Sequence, residues 1–161
     1  IITSFGPAPD YFSQPINLDG TSRREGWEAS LTTDVSEQIT VDANFTLLDS
    51  HEPGGRREVR RPRRSGAINT HFAFANEQGK ASLSFIYNGE MHDREFITAT
   101  PTDRVVIKSV TLLNAGVSYQ PNERTTLFFR GQNLLNKEYQ QVFSFRAPGV
   151  TASVGVMVTL R

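Results

Sequence analysis

The closing segment of the chain alternates between apolar residues and polar or small ones. From Val150 to Leu160 every even position is apolar, whereas the odd positions are mainly Thr, Ser or Gly. A period of two is the pattern of a β-strand with one apolar and one polar face. The same alternation recurs at Trp27–Leu31, Ile39–Asp49, Gly66–Ala75, Ala81–Asn88, Ser109–Gln120 and Thr125–Leu134. Because no window carries the stripe of an amphipathic helix, the sequence predicts an all-β fold.

The connections between these segments alternate between short and long. Short turns are predicted at Asp34–Glu37, Asn76–Gly79 and Pro121–Glu123, and long connections at Gly6–Pro15, Ser50–Arg63, Asp93–Arg104 and Leu135–Gly149. In an antiparallel sheet this order brings all the long loops to one end. Outer-membrane β-barrels have this asymmetry, with short periplasmic turns and longer extracellular loops. Soluble sandwiches and lipocalin-like barrels have no reason to sort their loops in this way.

Composition narrows the class further. A length of 161 residues fits one domain, and the absence of Cys excludes a disulfide framework, a thiolate nucleophile and a zinc ribbon. The uncharged apolar runs are too short for a transmembrane helix. The polar strand faces carry Glu28, Asp42, Arg130 and His71, whereas the apolar faces combine Ala and Gly with aromatic residues. We therefore predict a transmembrane antiparallel β-barrel with lipid outside and a hydrated charge network inside.

Four motifs, in this order along the chain, carry a family resemblance. They are Arg24-Glu25-Gly26-Trp27-Glu28, Tyr87-Asn88-Gly89 followed by Asp93, Gly131-Gln132-Asn133-Leu134-Leu135-Asn136-Lys137-Glu138-Tyr139, and Pro148-Gly149 before the last strand. Together they resemble TonB-dependent outer-membrane receptors of the cobalamin and catecholate-siderophore type. The third motif is similar to the family's Asn-Leu-Phe-Asp-x-x-Tyr, with Leu135 and Asn136 replacing Phe and Asp. Val150 stands where Arg is commoner, and Arg161 where the family has a terminal aromatic residue.

The resemblance implies a domain assignment and a function. Residues 1–161 are expected to form the C-terminal segment of the barrel, about seven or eight strands of a probable 22, with no plug domain in this segment. The implied parent lies in the bacterial outer membrane and imports a siderophore, cobalamin or similar nutrient chelate without catalysis or a cofactor. Its implied partners are membrane lipid and lipopolysaccharide, the remaining strands and plug, and the TonB–ExbB–ExbD complex acting through the plug.

One basic run is the candidate binding site. Residues 56–64 hold six Arg in nine positions with no aromatic residue among them, so nucleic-acid binding is not predicted. Within the barrel model, Arg56, Arg57, Arg60 and Arg61 are candidates for contacts with lipopolysaccharide phosphates or an anionic ligand in an outer loop. A merely solvated loop fits the same residues.

A second loop cluster is interpreted more simply. His51, Glu52, His92 and Asp93 lie on neighbouring loops and include metal-ligand types, but their spacing matches no recognised motif. We interpret them as ordinary loop residues and predict no metal. His71 is expected to face the lumen, and Trp27, Tyr87, Tyr119 and Phe129 are candidates for interfacial aromatic girdles.

Two rival interpretations stay open at this point. A small passive outer-membrane barrel would close by itself with eight strands. A soluble ligand-binding β-barrel would bury Val154, Val156 and Val158 away from water and lipid alike. The sequence does not identify the transported ligand.

Overall fold

The computed structural model describes residues 2–5, 13–16, 19–98 and 104–160. Within these ranges the structure consists of strands and their connections. The strands are β1 (Ile2–Phe5), β2 (Ser13–Ile16), β3 (Arg23–Ser36), β4 (Ile39–His51), β5 (Arg64–Phe74), β6 (Gly79–Asn88), β7 (Met91–Asp93), β8 (Val105–Ile107), β9 (Val110–Asn122), β10 (Thr125–Gln132), β11 (Gln140–Val142), β12 (Phe145–Arg146) and β13 (Thr151–Val158). A search of this part of the chain for a helix long and apolar enough to cross a membrane finds none.

One large antiparallel sheet dominates the fold. Its strands follow the order β13-β10-β9-β6-β5-β4-β3. Each interior strand therefore pairs with the long strands that precede and follow it in sequence. The remaining strands form two-stranded ladders: β1 with β2, β7 with β8, and β11 with β12. Every alternating segment of the sequence is a strand of the large sheet, which confirms the all-β prediction. Strands β7, β8, β11 and β12 escaped prediction because two or three residues are too few to show a period.

Loop length divides the two ends of the sheet as predicted. The turns at 37–38, 75–78 and 123–124 lie at one end, whereas residues 52–63, 89–109 and 133–150 connect strands at the other. The connection predicted at Gly6–Pro15 falls mostly outside the described residues, as do positions 99–103 of the one predicted at Asp93–Arg104. We call the second end the long-loop end.

The strand register gathers the apolar side chains on one face of the sheet. One row runs across five strands, in which Leu31 pairs with Ala43, Ala43 with Ile68, Ile68 with Phe85, and Phe85 with Leu113. A slip of one residue in any strand would turn its apolar set to the opposite face. The register therefore preserves a single continuous apolar surface.

No layer of protein covers this surface in the described part of the chain. Trp27 is 80% exposed, and Val154, Val156 and Val158 are 81%, 61% and 57% exposed. The accessible surface of 12080 Å² compares with about 8,000 Å² expected for a compact monomer of this mass. A soluble barrel requires those valines to be buried, so the exposed face does not favour that rival.

The opposite face is polar. Thr32 donates a hydrogen bond from Oγ1 to Asp42 Oδ1 at 2.8 Å, and His71 Nε2 lies 3.4 Å from Asp42 Oδ2. The guanidinium of Arg130 lies 5.5 Å from the ring centre of Phe128. Glu28 is on the same face, opposite Thr46. These positions agree with the expected lumen lining.

The sheet has two open edges, at β3 and β13, which do not pair with each other within the described residues. The small closed barrel needs that pairing, so the strand order does not favour this rival either.

Matched arginine substitutions test the assignment of faces. In the protein reconstituted in lipid vesicles, Leu83→Arg should lower the free energy of unfolding by about 2–4 kcal/mol, because it places a charge on the lipid face in mid-strand. The neighbouring Ser84→Arg enters the polar face and should cost less than about 1 kcal/mol. Urea titration of the complete barrel, followed by the loss of its β-sheet circular dichroism, measures both. Equal costs, or the reverse order, would refute the assignment.

Candidate functional site at the long-loop end

Two arginines outside the loop at residues 52–63 bind carboxylates within it. Arg24 of β3 donates from Nε and Nη2 to the two carboxylate oxygens of Glu58, at 2.8 and 3.0 Å. Arg104 places Nη2 at 2.8 Å from Glu52 Oε1 and donates from Nη1 to the carbonyl of Arg57. Charge-assisted pairs with two contacts hold both distance and orientation. The loop is therefore attached to its neighbours on two sides.

The third attachment is Asp93, whose side chain is completely buried. Its Oδ1 accepts hydrogen bonds from Arg60 Nε at 2.9 Å and from the Arg94 backbone N–H at 2.8 Å. Its Oδ2 accepts one from the Phe143 backbone N–H at 2.7 Å. Because these donors come from three successive long connections, one carboxylate joins all three.

The surroundings of Asp93 favour its ionised form. Burial alone raises the pKa of this carboxyl group, but the N–H groups of Phe143 and Arg94 and the Arg60 guanidinium outweigh it, so the pKa lies below its ordinary value. The pKa of Glu58 is also lowered, chiefly by its hydrogen bond to Arg24 and against the effect of burial. Both loop carboxylates are therefore charged at neutral pH.

The four arginines predicted as anion contacts have different environments in the structure. Arg60 is bound to Asp93 and has a left-handed backbone with φ of 58°, which identifies a structural role. Arg56 is exposed at the loop tip, where its carbonyl accepts from the Glu52 N–H at 2.7 Å. Arg57 and Arg61 line a common pocket. Any ligand contact of these four stays a prediction.

That pocket, which we call the arginine pocket, has a volume of about 420 Å³. Arg63 and Arg64 complete its basic lining, and Glu90 is the one acidic residue in it. Arg63 and Arg64 belong to the same basic run but are not among the four residues predicted as anion contacts.

Three of the four residues with metal-ligand side chains on these loops are engaged in other contacts. Glu52 and Asp93 bind Arg104 and Arg60, while His51 Nδ1 is 3.8 Å from Asp49 Oδ2. The described residues contain no group of three such side chains placed to hold a metal ion.

The Asn-Leu-Leu-Asn motif organises the connection into the last strand. Asn133 is buried, accepts the Lys137 N–H on Oδ1 at 2.9 Å, and donates from Nδ2 to the carbonyls of Lys137 and Pro148. Asn136 accepts the Val150 N–H on Oδ1 at 3.0 Å. An Asp at position 136 offers the same oxygen, so the departure from the family pattern preserves this bond.

An aromatic cluster lies in the same loop region. The ring of Phe96 meets Phe143 edge to face at 6.2 Å and Phe145 at 6.3 Å between centroids. Phe96 and Phe145 remain 45% and 66% exposed. Exposed rings held together in this way form an apolar surface among the loops.

Most of this chain is similar to a known family of proteins. The model of the TonB-dependent receptor-like β-barrel matches residues 1–134. The chain belongs to this family. The vitamin B12 transporter BtuB of Vibrio cholerae serotype O1 is 31% identical over 134 residues, which are 81% of this chain and 21% of that protein. This segment of a TonB-dependent receptor barrel thus spans about a fifth of the length of the curated relatives it matches.

Solved structures show the same fold. The ferripyoverdine receptor of Pseudomonas aeruginosa aligns with a TM-score of 0.72 at 13% identity, over 85% of this chain and 19% of that one. The ferric-catecholate import receptor Fiu of E. coli aligns with a TM-score of 0.66 at 16% identity, over 96% and 23%. The antiparallel sheet is therefore built as in TonB-dependent receptor barrels, and the predicted family and fold are confirmed.

Replacing Asp93 tests its role as the joint between loops. Asp93→Asn should speed amide hydrogen exchange at Phe143 and across residues 52–63 roughly 5- to 150-fold, because leaving a buried partner unsatisfied costs about 1–3 kcal/mol. The matched control Asp49→Asn removes a half-exposed carboxylate whose neighbours Arg57 and His51 lie 3.7 and 3.8 Å away and should change little. Exchange measured by mass spectrometry decides, and unchanged rates in Asp93→Asn would contradict the assignment.

The lowered pKa of Asp93 predicts an acid transition of the loops. A carboxyl group of this kind stabilises the folded loops above its unfolded pKa of about 3.9, and that contribution is lost as pH falls through the folded value. Spin labels on cysteines introduced at Arg56 and Gln141 should show a narrow distance distribution at neutral pH that broadens only below about pH 4. In Asp93→Asn the distribution should already be broad at neutral pH. Broadening near pH 6 would implicate histidine instead.

Proposed function

We propose that this chain is the C-terminal wall segment of a 22-stranded TonB-dependent receptor in the bacterial outer membrane, which imports a siderophore, cobalamin or similar scarce nutrient. The match of residues 1–134 to the family barrel carries the proposal. The two-faced sheet supports it independently, because an uncovered apolar face and a polar opposite face suit a wall between lipid and a hydrated lumen.

The open edges support further barrel strands as partners. Unpaired backbone groups in lipid cost several kcal/mol each, and β3 and β13 both present such groups in the described structure. The remaining strands of a receptor would pair with both edges and close the wall around a plug domain. Energy would reach that plug from the TonB–ExbB–ExbD complex, on the side of the short turns.

The nutrient would meet this segment at the long-loop end. The exposed rings of Phe96 and Phe145 provide an apolar surface for a chelate, and the attachments at Asp93 and Glu58 hold the loops around it. Arg56, Arg57 and Arg61 stay candidates for anion contact, whereas Arg60 has its Nε occupied by Asp93. We assign the segment binding and wall functions without covalent chemistry.

The relatives suggest the class of cargo. BtuB is named as a vitamin B12 transporter, and the aligned structures are receptors for ferripyoverdine and ferric catecholates. Vitamin B12, ferripyoverdine and the ferric catecholates are all bulky metal chelates. We therefore propose a metal chelate as the cargo and choose one of each type as a probe.

Uptake in cells tests this function. In a strain lacking the chromosomal gene for the whole receptor, a plasmid copy should restore uptake of radiolabelled cyanocobalamin or a ⁵⁵Fe-labelled siderophore, and a protonophore should abolish it. Phe96→Ala with Phe145→Ala should weaken affinity for the transported probe by roughly fivefold per ring, since an aromatic contact is worth about 0.5–1.5 kcal/mol. Arg124→Gln, in a short turn at the other end of the sheet, should leave affinity unchanged.

Two results would overturn the proposal. One is uptake that persists without proton-motive force, as a passive barrel predicts. The other is uptake of both types of chelate that is the same with and without the gene.

A further inference from the structure

A hollow of about 250 Å³ lies on the polar face of the sheet, where β6, β9 and β10 run side by side. We call it the lumen hollow. Its lining on that face includes the small residues Ser82, Gly116 and Ser118. Phe128 pairs with Ser118 on one side and with Gly155 on the other, and its ring occupies the space where a side chain at Gly155 would lie. The ring therefore leaves the space above Ser118 open.

Two cationic side chains border the lumen hollow. Lys80 lies opposite Ser118, which lies opposite Phe128, so the backbones of Lys80 and Phe128 are two strand spacings apart, about 10 Å. Arg130 follows Phe128 by two residues on the same face of β10, and its guanidinium lies 5.5 Å from the centre of the Phe128 ring. Because both cations line the hollow, one small anionic group between them can contact both.

These two charges have no carboxylate partner within the described residues. Neither Lys80 nor Arg130 forms an ion pair there. Asp42, an acidic residue of the same face, is engaged by Thr32 at 2.8 Å and by His71 at 3.4 Å. Closure of the wall around a plug takes both cations out of bulk water, where a charge is stable only when it is paired. The hollow therefore requires an anionic group from outside the described chain.

We propose that the lumen hollow is a binding site for a single carboxylate, supplied by an acidic side chain of the plug domain. Lys80 and Arg130 bind the carboxylate from two sides, and the ring of Phe128 holds the Arg130 guanidinium in position. The proposal rests on the proposed function, which provides the plug. It deepens that function because it gives the plug a contact of defined charge on this part of the wall.

The size and the position of the hollow favour the plug over the cargo. A volume of about 250 Å³ is smaller than the roughly 300–1,000 Å³ of pockets that enclose small-molecule ligands, and the proposed cargo is a bulky chelate. The end of one acidic side chain fits this space. Lys80 is the second residue of β6, directly after the turn at 75–78. The site thus lies toward the short-turn end, on the side from which energy would reach the plug.

Cross-linking in the whole receptor tests the site. A carbodiimide joins a lysine amine to a carboxylate in contact with it, as an amide without a spacer. The chain has three lysines, and Lys108 and Lys137 lie in the long connections. Purified receptor free of chelate, treated in detergent and analysed by mass spectrometry after digestion, should contain Lys80 joined to an Asp or Glu of the plug. Lys108 and Lys137 are internal controls and should not be joined to that carboxylate.

Moving the amine tests the geometry of the site. Arg130→Lys in a Lys80→Gln background should be joined to the same plug carboxylate, because both positions border the hollow. Ser84→Lys in that background is the matched control. It lies on the same face of β6, two residues beyond Ser82, and should not be joined to that carboxylate.

Amide hydrogen exchange tests whether the contact holds the plug. In Lys80→Gln with Arg130→Gln, the plug peptide that carries the carboxylate should exchange at least about tenfold faster than in wild type, because hydrogen bonds between charged groups are lost. Ser82→Leu fills the hollow and should have the same effect. Ser84→Leu, on the same face outside the hollow, and Lys108→Gln should leave the exchange unchanged.

The outcomes separate this site from the transport function. The proposal would be overturned by a Lys80 cross-link to a carboxylate of this segment, by one that forms only when a chelate is added, or by the lack of any cross-link to the plug. Unchanged exchange in the double variant would also overturn it. The cross-link is measured without cargo or proton-motive force. A receptor that transports no chelate can therefore still show it, and a receptor with normal uptake can lack it.

Discussion

The constraint on which this structure depends is an apolar sheet face that no other part of the described chain covers. In water such a face would need a second layer, and the described structure provides none. Lipid removes the need for that layer but forbids unpaired backbone groups. Backbone pairing is complete for each interior strand of the sheet, which has a neighbour on both sides, but not for the edge strands β3 and β13 within the described residues. The family's barrel resolves this conflict, because closure leaves no edges.

Ile107 and Leu112 are the buried apolar residues of the described chain, so the long loops are held mainly by charge. Glu52, Glu58 and Asp93 each accept from an arginine of another element, and Asp93 also accepts two backbone N–H groups. A buried carboxylate is tolerated here because both of its oxygens accept hydrogen bonds. These attachments hold the loop surface on which the rings of Phe96 and Phe145 are exposed.

The basic run illustrates how far residue type alone can be interpreted. Arg56, Arg57, Arg60 and Arg61 were predicted as anion contacts from residue type, yet they have different environments in the structure. Arg60 binds the buried Asp93, whereas Arg57 and Arg61 line the arginine pocket together with Arg63 and Arg64. Glu52 and Asp93, two residues with metal-ligand side chains, also bind arginines in the structure. By contrast, the motif at Gly131–Tyr139 was recognised from sequence, and its asparagines hold the connection to the last strand.

The sequence by itself determined the long strands, their two faces and the division of short turns from long loops, because each is a local pattern. Alternation along Ile39–Asp49 or Ser109–Gln120 assigns a face without reference to any neighbour. Only the tertiary structure decided which loop residues meet. Asp93 lies 33 residues from Arg60 and 50 from Phe143. These contacts depend on the order of the strands and on the paths of the loops. Residues so far apart in the chain show no periodic pattern that would predict their contact. The arginine pocket likewise forms only where the arginines of residues 57–64 meet residues 87–92 in space.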